Sequence, residues 1–113
     1  MFNQKLSNNN NIFELSSLSE KSQSEIFESI ISSPNIKIER IISTGQITPQ
    51  GQWYDQKKDE WVILLQGEAI LSYEDGSNIN LKTGDYILIP AHLKHRVEYT
   101  SENPPCIWLA IHF

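Results

Sequence analysis

With 113 residues, 39% of them apolar, the chain has material for one buried core and is expected to fold as a single domain. A net charge of -5 and a pI near 5.1 argue against nucleic acid as a partner, since phosphate binding needs a concentrated basic surface. Cys106, the single cysteine, rules out an intrachain disulfide framework, and no apolar run approaches the length that spans a bilayer. The N-terminus lacks a basic region followed by an apolar one, so no signal peptide is read and a cytoplasmic location is expected.

The first residues, Met1 to Asn11, are polar and rich in Asn, with too little apolar surface to fix a conformation. Ile12 to Leu15 is expected to dock on the domain as an edge strand. Ser22-Gln23-Ser24-Glu25 has capping-box spacing, and Ile26, Phe27, Ile30 and Ile31 follow at helical intervals until Pro34. This pattern predicts one short amphipathic helix within an N-terminal segment, residues 1–35, packed outside a domain covering 36–113. From Ile36 the period changes to two. Strand-like runs follow at Ile36–Ser43, Gln52–Tyr54, Glu60–Gln66, Ala69–Tyr73, Ile79–Leu81, Tyr86–Ile89, His95–Thr100 and Cys106–His112. Asp75-Gly76 marks a tight hairpin, and Gly67 and Thr83-Gly84-Asp85 mark further bends. Many short, evenly spaced strands predict an all-β sandwich or barrel.

Parity sorts the side chains. If Glu60 points inward, so do Val62, Leu64 and Gln66, which leaves Trp61, Ile63 and Leu65 on an outer face too apolar to stand in water. The helix covers part of that face in this reading, and a second copy of the chain covers the rest, making a homodimer. Arg96 and Glu98 fall opposite His95 in parity and read as an outer-surface pair of little energetic weight. Asp55 and Asp59 read as solvating the Lys57-Lys58 turn, and Cys106, in an apolar run, as a buried and inert thiol.

Gly51, Glu60 and Gly67, with six residues between the last two, are followed by Gly84, Pro90 and His95 at the spacing glycine, five residues, proline, four residues, histidine. These two runs, in this order, resemble the paired motifs of the cupin superfamily, and the likeness covers roughly Ile36 to Phe113. It implies a small single-domain cupin, a jelly-roll barrel with both motifs facing its interior. The family's first motif usually carries two histidines before its glutamate. Here those places hold Tyr54 and Gln56, or Trp53 and Asp55 at the longer spacing, so the usual set of three His and one Glu is absent.

The resemblance and the residue types together make Glu60 and His95 the central candidates, as metal ligands and as catalytic groups. Gln56 could add a carbonyl oxygen, and His92, His112, Tyr54 or water a fourth ligand. Fe, Mn, Ni, Cu and Zn all suit such a site. The bland alternative is a His95 simply hydrogen-bonded to Glu60, with His92 a solvated turn residue and His112 structural. Tyr54 and Trp108, with Trp53, are candidates to line a ligand pocket, or else belong to an aromatic core. The functional expectation is a metal-binding cupin acting on a small organic metabolite. The alternative is a non-catalytic ligand-binding or structural dimeric cupin, with His95 as a metal-free general base between the two.

Overall fold

The computed structural model describes residues 9–15 and 24–113 of the chain. Among them are eight strands and no helix: β1 (Ile26–Ser32), β2 (Lys37–Ser43), β3 (Glu60–Gln66), β4 (Glu68–Tyr73), β5 (Asn78–Lys82), β6 (Tyr86–Ile89), β7 (His95–Thr100) and β8 (Cys106–His112). They form two antiparallel sheets, one ordered β1-β2-β8-β3-β6 and the other β5-β4-β7. The inner faces meet in one core, to which Val62, Leu64 and Trp108 come from the first sheet and Leu71, Leu81 and Val97 from the second. Six of the strands match the sequence-predicted runs from Glu60 onward to within a residue or two at each end. Gln52–Tyr54 does not form a strand: only Tyr54 pairs, bridging to His95 through both backbone groups.

Residues Ile26–Ser32 correct the helix expectation, because they form an edge strand on β2. Ser22 and Gln23, the start of the expected capping box, lie outside the described residues. Two causes favour the strand. Ile26, Ile30 and Ile31 are β-branched, which limits their rotamers in a helix and suits a pleated surface. The chain must also satisfy the free edge of β2, and pairing Ile26 with Ile42 and Glu28 with Arg40 does so. A register shift between Ser29 and Ile31 breaks the period-two pattern, which is how a strand came to carry apolar residues at helical spacing. Ile12 to Leu15 docks without becoming a strand. It forms a turn closed by Glu14 N–H donating to the Asn11 carbonyl, and Arg40 Nη1 donates to the carbonyls of Ile12 at 3.0 Å and Glu14 at 2.7 Å.

Arg96 also departs from expectation. It is only 8% exposed and donates to the carbonyls of Thr48, Pro49 and Gln52 as well as to Glu98. It is therefore a clasp that holds the 46–53 loop against β7, with its guanidinium carbon 5.9 Å from the centre of the Trp53 ring. Gly67, between β3 and β4, adopts φ +97°, and a Cβ there would come within 3.0 Å of Ser101 Oγ and of the Cys106 sulfur and Cα. Cys106 is fully buried at this seam, its thiol donating to the Glu68 carbonyl on the other sheet at 3.2 Å. No helix among the described residues is long and apolar enough to cross a membrane.

Candidate functional site

Three strand ends converge on one mouth of the sandwich. Glu60 opens β3, His95 opens β7, and His112 closes β8 directly opposite Glu60 in register. Between them lies a cavity of about 510 Å³, its open mouth included, with Gln56, Glu60, His95, His112, Tyr54 and Trp108 in its wall. The strand-end placement of Glu60 and His95 follows from the pleat: each is the first inward residue of a strand whose next inward residues, Val62 and Val97, belong to the core.

His95 is 5% exposed, and its Nδ1 lies 2.9 Å from the Leu93 carbonyl. A carbonyl only accepts, so Nδ1 carries the hydrogen, and in the neutral ring Nε2 holds a free lone pair. The Tyr54 ring stacks on this imidazole with centroids 5.6 Å apart. Burial pushes the Glu60 carboxyl above its ordinary range. The charges of His112 and then His95 oppose that shift, Glu39 adds to it, and a Gln56 side-chain hydrogen bond lowers it. Tyr54 is raised as well, first by burial and then by the charge of Glu25.

The loop between Tyr54 and Glu60 is tied down at several points. Its Gln56 carbonyl accepts from His92 N–H at 2.8 Å, Asp59 Oδ1 accepts from Ala91 N–H at 2.8 Å, and Asp59 pairs through its backbone with Phe113. These contacts place Gln56 in the wall, where its Oε1 is buried and has no hydrogen-bond partner. An unpaired buried acceptor is unfavourable unless something else supplies a donor or a positive charge.

Of the residues singled out from sequence, Gln56, Glu60, His95, Tyr54 and Trp108 share the cavity wall. His92 stands outside it, in the turn before β7 at φ +65°, with its side chain 66% exposed and Nδ1 2.9 Å from Asp55 Oδ1. Asp55 thus pairs across to the neighbouring turn and Asp59 caps it, rather than merely solvating their own turn. Trp53 is 38% exposed beneath Arg96. His112 lies in the wall and bonds to Glu39 Oε1 through Nε2 at 2.9 Å. Sequence reasoning missed Glu39 and Glu25. Glu39 points inward because pairing with β8 turns that parity of β2 to the cavity, and nothing within its own run distinguishes the two faces. Glu25 was hidden by its place in an apparent capping box.

Among the described residues no three His, Cys, Asp or Glu side chains gather as a group able to hold a metal ion. The buried, unpartnered Gln56 Oε1 shares the cavity wall with Glu60 and His95, and oxygen and nitrogen donors of these types suit a divalent metal.

The chain, folded as two antiparallel sheets, matches the family model described as a cupin domain over residues 41–112. It belongs to the cupin family. A chain of Ralstonia eutropha JMP134, provisionally named a mannose-6-phosphate isomerase, is 37% identical to it, with 94% of this chain and 97% of that one covered and a TM-score of 0.84. A cupin superfamily protein of Desulfitobacterium hafniense DCB-2 is 19% identical, over 97% of this chain and 98% of that one, with a TM-score of 0.72. FeII HppE, solved in complex with substrate, shares the fold alone: 14% identity over 78% of this chain and 53% of that one, with a TM-score of 0.66. No curated protein matches the chain.

Proposed function

We propose that this cupin takes a small organic molecule into its barrel and holds a divalent metal ion there through Gln56, Glu60 and His95. The observation that supports this most directly is the buried, unpartnered Gln56 Oε1 in the same wall as a carboxylate and an imidazole with a free Nε2. A metal bound at these residues would polarise a carbonyl or hydroxyl of the ligand. The chain itself does the positioning. The Leu93 carbonyl fixes the His95 tautomer, and the stacked Tyr54 ring fixes its plane. The His92 and Asp59 contacts hold the loop that presents Gln56, and the apolar strand residues behind exclude water.

A metal-free reading is supported by the described residues, among which no three imidazole, thiolate or carboxylate ligands gather. In that reading His95 Nε2 is a general base and buried Glu60 tunes it.

Metal analysis of protein purified without a histidine tag separates the two. The expected result is a near-stoichiometric divalent metal that is lost in Glu60→Ala and His95→Ala and diminished in Gln56→Ala. A content near zero that added Fe, Mn, Ni, Cu or Zn does not raise rejects the metal and leaves the general-base reading.

A further inference from the structure

One wall of the cavity is built for something other than a metal. Glu25, just before β1, lines the cavity beside Phe27, Tyr54 and Trp108. Its Oε2 accepts from Ser43 Oγ at 2.7 Å, and Ser43 Oγ in turn accepts from Trp108 Nε1 at 3.1 Å. Its Oε1 lies 3.5 Å from the Tyr54 hydroxyl. These bonds tie the carboxyl to the Tyr54 hydroxyl directly and to the Trp108 indole through Ser43.

The acids of the wall are unevenly matched with positive groups. Glu39 already has His112 at 2.9 Å and Lys37 at 3.4 Å, and Glu60 stands with Gln56 and His95. Glu25 has only neutral hydroxyl partners among the described residues. Among the described residues, no Lys or Arg lines the cavity. The two buried guanidinium groups are engaged elsewhere, Arg40 with Ile12, Glu14 and Glu28, and Arg96 with the 46–53 loop. Burial drives the Glu25 carboxyl upward, as expected where a counter-charge is missing.

We infer that the ligand is a small organic amine, its ammonium received by the Glu25 carboxylate between the Tyr54 and Trp108 rings and its apolar body against Val62 and Ile41. A carboxylate flanked by aromatic rings attracts an organic cation through both the charge and the ring quadrupoles. A phosphate or carboxylate in the same place would meet the like charge of Glu25, with no Lys or Arg among the described wall residues to offset it. The protein's net charge of -5 acts in the same direction at long range. The inference rests on the reading that the barrel interior binds a small molecule, but not on the metal.

Benzylamine and benzoate, alike in size and opposite in charge, make the test. Both are titrated into EDTA-treated full-length protein in about 0.15 M salt, which screens the distant charges. The readout is the Trp108 indole N–H resonance, assigned with Trp108→Phe. The expected result is a saturable shift with benzylamine and binding at least about tenfold weaker for benzoate. Glu25→Gln should remove most of that preference, while Glu74→Gln, at an exposed acid, should leave it intact. If Glu25→Gln does not melt cooperatively, the wild-type comparison decides alone. Benzoate or mannose 6-phosphate binding as tightly as benzylamine overturns the inference, yet leaves a small-molecule barrel standing. Neither probe moving the resonance at about 10 mM overturns it too, since that concentration exceeds any useful small-ligand affinity. Metal content is measured separately and decides only the metal.

Discussion

Glu25 carries its raised carboxyl pKa into the stability of the fold. Burial is the main cause, and the hydrogen bonds from Ser43 and Tyr54 only partly oppose it. Folded protein therefore holds this proton more tightly than unfolded protein. The sign follows: the group's contribution is fully present below the ordinary value of 4.5 and is lost as pH rises through the higher folded value. Glu25→Gln should remove that loss, so the variant's melting temperature should fall less than the wild type's as pH is raised above 4.5, measured without ligand or metal. A second residue-scale outcome concerns two glycines of the family motifs, both at positive φ. At Gly84 a Cβ would meet nothing within 4 Å, so Gly84→Ala should destabilise by about 1 kcal/mol, from backbone conformation alone. At Gly67 the new methyl would also press on Ser101 and on Cys106, including its backbone. Gly67→Ala should cost on the order of 3 kcal/mol in chemical denaturation. Glu60 and His95 were legible at this scale because motif spacing and strand parity gave the same answer. Glu39 and Glu25 were not, since what turns them inward is a neighbouring strand rather than their own run.

The strands from β3 to β8 were readable because each is short, alternates in polarity and ends at a turn residue. β1 was not readable, because its register shift and its isoleucines spaced four apart imitate a helix, and only the unpaired edge of β2 decides the matter. Arg96 was misjudged for a related reason. Parity placed it on the outside of β7 correctly, but the 46–53 loop folds over that outside and supplies three carbonyls. Truncating a buried guanidinium leaves those acceptors without donors. Arg96→Ala should therefore lower stability by about 2–4 kcal/mol and speed hydrogen exchange at Thr48 and Val97, whose N–H groups donate to the Val97 carbonyl and the Thr48 hydroxyl respectively. Glu98→Ala, removing a 40% exposed partner, should change stability by less than about 1 kcal/mol.

For the whole molecule, the outer face of the larger sheet keeps the apolar character the sequence assigned to it. Trp61 rests against Tyr86 with ring centroids 5.4 Å apart, and Tyr86 and Leu88 are 63% and 53% exposed. We propose that a second copy of the chain covers this face. Size-exclusion chromatography with light scattering should give a dimer at micromolar concentration, and Leu88→Lys should shift it to monomer without loss of the melting transition. A strict monomer in the wild type rejects the proposal.

The lone thiol offers a use of a different kind. Cys106 is sealed where the two sheets meet, and the chain has no other cysteine to compete with it. A thiol reagent can reach the sulfur only after that seam parts, so its labelling rate times the parting of the sheets. The native protein thus carries its own clock for that opening, and each variant above can be read against it without adding a probe.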